Sequence, residues 1–171
     1  LHALLKHQGP SLEVILFDNN SRDETDTLLS RIAGVRVLRN TSNAGFLAGC
    51  NRGAEVAKGR TLLLLNSDAF LRTGSLDAAL KTLESAPDIG AVGGRLILPN
   101  GRLQEAGSII WSDASCLGYG RGLAAEAGEA MFRRNVDYCS GACLLTPRAL
   151  WDRLGGFDEA YAPAYYEETD Y

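Results

Sequence analysis

The run Thr61-Leu-Leu-Leu-Leu65, emptying into Asn66-Ser-Asp68, constrains this chain more than any other stretch. It is too short for an ordinary helix and shows no polar alternation, so it reads as a buried strand of the kind found inside a helix-covered sheet. Such a strand needs helices to cover it. The rest of the pattern supplies them.

Leu12-Glu-Val-Ile-Leu-Phe17 is a second apolar run and ends in Asp18-Asn-Asn. Ser21-Arg-Asp-Glu24 has capping-box spacing and predicts a helix carried by Leu28, Leu29 and Ile32 until Gly34. Val35 to Leu38 reads as a strand, residues 39–45 as a glycine- and asparagine-rich loop, and Ala48 to Ala57 as a helix closed by Gly59. Ser75 to Ser85 carries Leu76, Leu80 and Leu83 at helical intervals, and Ile89 to Val92 and Arg95 to Leu98 read as short strands. From Asn100 to Asn135 the pattern loosens into what reads as specificity loops. Cys139 to Thr146 then predicts a strand, and Pro147 to Leu154 a helix begun by proline. The alternation predicts an α/β fold with a mostly parallel sheet and helices on both faces.

Composition narrows the partners. A chain of 171 residues that is 46% hydrophobic can bury one substantial core, which argues for a single domain. A net charge of -4 with scattered arginines offers no basic field, so nucleic acid is excluded as a partner. No apolar run approaches the roughly 20 residues needed to cross a bilayer. Cys50, Cys116, Cys139 and Cys143 lack metal or disulfide spacing and suggest a reducing cytoplasm. His2 and His7 have no acidic or cysteine company, and Leu1 to His7 reads as a helix.

In such a sheet, ligands gather beyond the carboxyl ends of strands, where Asp18 and Asp68 stand. Either alone would pass for a helix cap or a turn residue; two in one sheet favour a site. The last eighteen residues add Glu167, Glu168 and Asp170 within four positions, interleaved with Tyr161, Tyr165 and Tyr166. A freely solvated acidic face does not need aromatics. Carboxylates so gathered suit a divalent metal and a base that takes a proton from a hydroxyl. Gly118-Tyr-Gly-Arg-Gly122 imitates a dinucleotide fingerprint, but no strand leads into it and it reads as a mobile lip. Asp18-Asn-Asn imitates a phosphatase nucleophile, but Asn20 stands where the second acid belongs.

Five segments in order carry a resemblance. Asp18-Asn-Asn-Ser-Arg-Asp-Glu-Thr25, Asn43-Ala-Gly-Phe46 with Asn51-Arg-Gly53, Leu64-Leu-Asn-Ser-Asp68, Ser140-Gly-Ala142, and Gly155-Gly-Phe-Asp-Glu159 with Tyr166-Glu-Glu-Thr-Asp170 resemble the ordered motifs of family 2 glycosyltransferases. The similarity is greatest to the rhamnosyltransferase-like branch. It implies a GT-A fold and an inverting transfer of a hexosyl or rhamnosyl unit from a nucleotide-diphosphate sugar to a glycan or lipid-linked acceptor, in cell-wall or polysaccharide biosynthesis. By that resemblance Asp18 meets the nucleotide, with Asn20, Asn43, Gly45, Asn51 and Asn66 also on the donor side. Asp68 holds Mg²⁺ or Mn²⁺, alone, because Asn66 replaces the first acid of the stricter motif. Glu168 stands at the position of the base, supported by Glu167 and Asp170. The donor-binding half spans about residues 1–98, and the acceptor and catalytic half about 99–171.

A rival reading is a non-catalytic domain that binds a sugar nucleotide or glycan. Leu1 is not preceded by the strand with which the resembling family begins, and the chain stops just after the base motif, so the sequence reads as a piece of a larger enzyme. That enzyme is expected in the cytoplasm or at the inner face of the membrane, with peripheral attachment through regions outside these residues. The absent strand would lie beside the strands at 12–17 and 61–65. The 171 residues alone are therefore expected to aggregate, to pair as a homodimer by strand exchange, or to need upstream residues.

Overall fold

The computed structural model describes Leu4 and residues 12–171. The expected helix at Leu1 to His7, with both histidines, thus falls outside the described residues but for Leu4. In chain order the elements are β1 (Ile15–Asp18), α1 (Thr25–Leu29), β2 (Arg36–Arg39), α2 (Gly45–Val56), β3 (Thr61–Leu65), α3 (Ser75–Leu83), β4 (Val92–Gly93), β5 (Leu96–Ile97), β6 (Leu103–Glu105), β7 (Ser108–Ile110), β8 (Cys116–Gly118), β9 (Cys143–Pro147), α4 (Arg148–Leu154) and α5 (Glu167–Asp170). They fall into two compact units, one of residues 12–62 with 148–171 and the other of residues 63–147.

In the first unit β1 and β2 run parallel, in register from Ile15 opposite Arg36 to Asp18 opposite Arg39. The helix between them starts three residues later than its capping-box spacing predicts. The Ser21 N–H goes to Asp18 Oδ1 instead, and Asp23 Oδ1 accepts the Thr25 N–H, each at 2.9 Å. Helix α1 buries none of its residues, so no core contact extends it past Leu29. Helix α2 buries Leu47 and Ala54. It begins three residues earlier than predicted because Gly45 adopts φ +85° and the Asn43 carboxamide oxygen caps its N–H at 2.9 Å. At its far end the Arg148 guanidinium donates to the carbonyls of Ala54, Ala57 and Gly59 at 3.0, 2.6 and 2.9 Å. A cation at a helix carboxyl terminus satisfies carbonyls that have no intrahelical partner. Helix α4 buries Trp151, whose ring stands edge-on to Phe157 with centroids 4.9 Å apart. Tyr171 closes the cluster, 5.2 Å from Trp151 and 5.8 Å from Phe157.

In the second unit β9 lies between β3 and β4, with Leu145 of β9 opposite Val92 of β4. Leu76 and Leu83 of α3 pack with Leu145, ringed by Leu63, Leu71, Leu80, Ile89 and Val92. The predicted strand at 61–65 and the helix from Ser75 are both present, because both rest on long apolar patterns. The stretch from Asn100, expected to be irregular, instead pairs β6 with β5, which lies inside the strand expected at 95–98, and holds a second hairpin of β7 with β8. Its own small core holds Leu103, Ala106 and Ala130, with Ile97, Tyr119 and Leu123 packed against them. Strands of two or three residues are too short for alternation to register in the sequence.

The expectation of a mostly parallel sheet needs correction. β1 and β2 are parallel, but β4 with β9, β5 with β6 and β7 with β8 are antiparallel, so the pairing is mixed. The connections from β5 to β6 and from β7 to β8 are only five residues long, and a connection that short can only join antiparallel neighbours. Among the described residues no helix is long and apolar enough to cross a membrane.

Candidate functional site

β1 delivers Asp18 at its carboxyl end with the side chain only 9% exposed. Hydrogen bonds from Ser21, from its side chain first and its backbone second, hold the Asp18 carboxyl below the usual carboxylate range. The two following asparagines turn the chain toward α2. Asn19 donates to Asn43 Oδ1 at 2.7 Å and to the Gly45 carbonyl at 3.1 Å, and its own oxygen accepts the Ala44 N–H at 2.8 Å. Asn20 takes φ +66°, a left-handed conformation that asparagine tolerates. Sequence reasoning singled out Asn20 and missed Asn19, which does the stitching. The signal available was its pairing in sequence with a second asparagine-rich loop.

Gly45 is required by its surroundings. A Cβ there would lie 2.6 Å from the Pro163 carbonyl oxygen, so the 162–166 segment passes directly over the start of α2. Further along α2, Asn51 clasps Phe157 across 106 positions. Its Oδ1 accepts the Phe157 N–H and its Nδ2 donates to the Phe157 carbonyl, both at 2.9 Å. The turn before Phe157 uses Gly155 and Gly156 at φ +85° and +79°. A Cβ on Gly156 would lie 2.7 Å from Asn51 Oδ1 and 3.1 Å from Trp151 Nε1. The Gly-Gly-Phe motif is thus explained by the clasp.

The clasp leads the chain into α5. Tyr165 and Tyr166 precede it at φ +79° and +72°, and Tyr166 is its N-cap. Glu167 is 3% exposed, and its Oε2 is buried with no hydrogen-bond partner. Burial pushes its pKa up, against backbone N–H groups of Glu167 and Tyr165 that favour the charged form. The charges of Glu167 and Glu168 reach Cys50 of α2, whose thiol is pushed up to about 12, chiefly by burial. Cys50 is therefore no nucleophile at neutral pH. Glu168 is half-buried and Asp170 exposed, with Asp170 Oδ1 accepting from the Tyr161 hydroxyl at 3.2 Å. That contact raises the Tyr161 pKa.

In the second unit Asn66 and Asp68 follow β3. The Asn66 N–H donates to the Ala142 carbonyl at 3.0 Å and its carbonyl accepts the Ala69 N–H at 3.1 Å, which fixes a tight turn. Asp68 is exposed, and its carboxylate enters no hydrogen bond or ion pair among the described residues. No group of three or more His, Cys, Asp or Glu able to hold a metal occurs among those residues. A single free carboxylate fits a hard cation whose other ligands are phosphate oxygens and water. Of the expected site residues, Asp18, Asn20, Asn43, Gly45, Asn51, Glu167, Glu168 and Asp170 therefore share the first unit, while Asn66 and Asp68 belong to the second.

Comparison with known proteins gives this geometry a context. The sequence profile of Glycosyl transferase family 2 matches residues 1–154. Over 92% of its length the chain is similar, at 32% identity, to the O-antigen biosynthesis protein RfbC of Myxococcus xanthus, of which it spans 13%. Over 93% of its length it is 28% identical to the N-acetylglucosaminyl-diphospho-decaprenol L-rhamnosyltransferase of Mycobacterium tuberculosis, of which it spans 59%. The chain thus covers well under two thirds of either relative. Among solved structures, the mannosyltransferase PcManGT from Pyrobaculum calidifontis in complex with GDP-Man and Mn²⁺ superposes with a TM-score of 0.60 at 21% identity, over 86% of this chain and 38% of the other. GalNAc-T7 with UDP, GalNAc and Mn²⁺ superposes with a TM-score of 0.66 at 14% identity, over 99% and 36%. These structures show an α/β fold of the GT-A type.

Two expectations follow from the geometry. Asn51→Ala leaves the Phe157 N–H and carbonyl without their partner and should cost about 2–4 kcal/mol in urea unfolding; a midpoint unchanged from wild type would show that the clasp bears no weight. For Glu167, burial raises the folded-state pKa above the unfolded value of about 4.3. The penalty on the carboxylate is then absent below that value and grows as pH rises through the folded pKa. The melting temperature of Glu167→Gln relative to wild type should accordingly increase between pH 4 and pH 8, and a difference that shrinks over that range would show the buried carboxylate to be stabilising.

Proposed function

This chain belongs to glycosyl transferase family 2, and we propose that it forms the catalytic domain of an inverting, metal-assisted enzyme that moves a sugar from a nucleotide-diphosphate donor to an acceptor hydroxyl. The observation that carries this reading is the gathering, in one unit, of a strand-end carboxylate and an acidic helix whose placement the Asn51 clasp fixes. The similarity to the mycobacterial rhamnosyltransferase and to RfbC supports a rhamnosyl or related hexosyl unit as the cargo. The same names support a glycan or a lipid-diphosphate-linked saccharide as acceptor and a role in cell-wall or polysaccharide biosynthesis.

In this mechanism Asp18 accepts hydrogen bonds from the nucleoside, a task suited to a carboxylate kept ionised by Ser21. On the donor side stand Asn20, Asn43 and Gly45 beside the hydrogen bonds of Asn19, Asn51 from α2, and Asn66 from the turn after β3. Asp68 would hold Mg²⁺ or Mn²⁺, which offsets charge developing on the leaving diphosphate. Glu168 accepts the proton of the acceptor hydroxyl as that oxygen attacks the anomeric carbon from the face opposite the diphosphate. Inversion follows from that single in-line displacement. Glu167 and Asp170 act as its supports, Glu167 by anchoring the first turn of α5 and Asp170 through Tyr161.

A thermal-shift comparison of UDP-, dTDP- and GDP-sugars with and without Mn²⁺ tests the reading directly, because only ligands that favour the native state raise its melting point. A metal-dependent rise with at least one donor is expected, and stabilisation by free glycans alone would favour a binding module. Asp68→Asn should keep the fold, lose that metal-dependent rise and lose most turnover; full turnover at saturating donor would remove Asp68 from the metal site. Glu168→Gln should keep donor affinity while transfer falls about a hundredfold or more. Normal transfer by that variant would pass the base role to Glu167 or Asp170.

A further inference from the structure

The segment that introduces α5 has a feature the proposed chemistry does not use. Tyr165 and Tyr166 are consecutive bulky residues with φ at +79° and +72°. Each such residue costs of order 1–2 kcal/mol and persists only where its surroundings over-determine it. Glycine is the ordinary solution, and this chain adopts it at Gly155 and Gly156 a few residues earlier. Backbone geometry alone therefore does not call for tyrosine at 165. Folding does not call for it either, since the side chain is 81% exposed and gains almost nothing from burial.

The backbone beneath this ring is nonetheless held. Two residues earlier the Pro163 carbonyl rests against Gly45 at the start of α2, and two residues later Glu167 is buried. An exposed aromatic face thus projects from an anchored, strained turn three residues before Glu168. Three residues span at most about 10 Å, the breadth of one or two sugar rings. A phenol ring offers an apolar face with a polar tip, which matches a pyranose, whose C–H face is bordered by hydroxyls.

We propose that Tyr165 is the stacking platform for the acceptor's sugar unit, holding that ring's C–H face so that its nucleophilic hydroxyl meets Glu168. The assignment rests on the transferase reading above and adds to it the chemical class that this part of the site selects: a pyranose presenting an unobstructed C–H face. Tyr165 is a binding residue that sets acceptor affinity. It takes no part in proton transfer.

The test is steady-state kinetics on the full chain, using the donor identified by thermal shift and a panel of methyl and octyl glycosides as acceptors. Tyr165→Ala should raise acceptor KM about fivefold to tenfold, the loss expected for one aromatic contact, with donor KM within about twofold of wild type. Tyr165→Phe and Tyr165→Trp should stay near wild type, because both keep a ring. Tyr165→Gly should behave like Tyr165→Ala although it relieves the strained φ. Each of three results would overturn the proposal: an unchanged acceptor KM in Tyr165→Ala, a donor KM that rises instead, or a Tyr165→Gly variant that recovers wild-type KM. A wild-type chain that binds no nucleotide sugar would remove the transferase reading itself, and this assignment with it, whereas any failure confined to the variants leaves that reading intact.

Discussion

The clasp between Asn51 and the backbone of Phe157 is the interaction on which the candidate site depends. It joins positions 106 residues apart with two hydrogen bonds that copy the pairing of a β-ladder. Neither the helix that carries Asn51 nor the turn that carries Phe157 could fix the other by local propensity alone. Once the clasp is closed, Trp151, Phe157 and Tyr171 pack into one cluster, and the chain between Phe157 and Tyr171 is tethered at both ends by packed rings. Helix α5 has only four residues, far below the length at which a helix is stable by itself. Its acids have a defined place only because the segments on either side are pinned.

That dependence explains why glycines cluster around the clasp. Gly156 leaves room for the Asn51 oxygen and the Trp151 indole, and Gly45 leaves room for the Pro163 carbonyl. In both cases backbone or a fixed polar atom occupies the space a Cβ would need, and φ is positive, so a side chain would be excluded on two independent grounds. The buried carboxylate of Glu167 works in the opposite sense. Its burial raises its pKa and so lowers stability at neutral pH, yet it seats the first residue of α5 directly after the strained turn. A few kilocalories per mole of local cost in exchange for a fixed approach to Glu168 is a common arrangement at functional sites.

Legibility in the sequence followed the length over which a physical signal was summed. The strand at 61–65 was legible as an unbroken apolar run, and the helix from Ser75 because Leu76, Leu80 and Leu83 recur at helical intervals. The capping-box spacing at Ser21 misled because the Asp18 carboxylate competes for the Ser21 N–H, a tertiary choice that residue types do not display. Beyond β5, which the expected strand at 95–98 contains, the strands from Leu103 to Gly118 were illegible because strands this short are defined by their partners and by a small shared core around Leu103. The acids were legible as candidates, since charge at strand ends and among aromatics is conspicuous, and the resemblance gave each a role. Their support was hidden. Asn19 and Asn51 act through hydrogen bonds to residues distant in sequence, partners that periodicity does not display.

The replacement of an acid by Asn66 has a consequence for how the proposed reaction would be ordered. A cation facing Asp68 on an exposed turn, where the described residues form no cluster of three or more acids, cysteines or histidines, would have little to hold it before the donor arrives. Most of its ligands must then come from the diphosphate and water, as hard divalent cations accept readily. Metal and nucleotide would bind as one unit, and affinity for either alone would be weak by the reciprocity that links two ligands sharing a site. Asp18 fits this division of labour, because a carboxylate kept ionised by Ser21 recognises the nucleoside without needing the metal. In the proposed reaction Asp18 would read the donor's nucleoside, Asp68 would hold its diphosphate through the cation, and Glu168 would be left free of both tasks to take the proton.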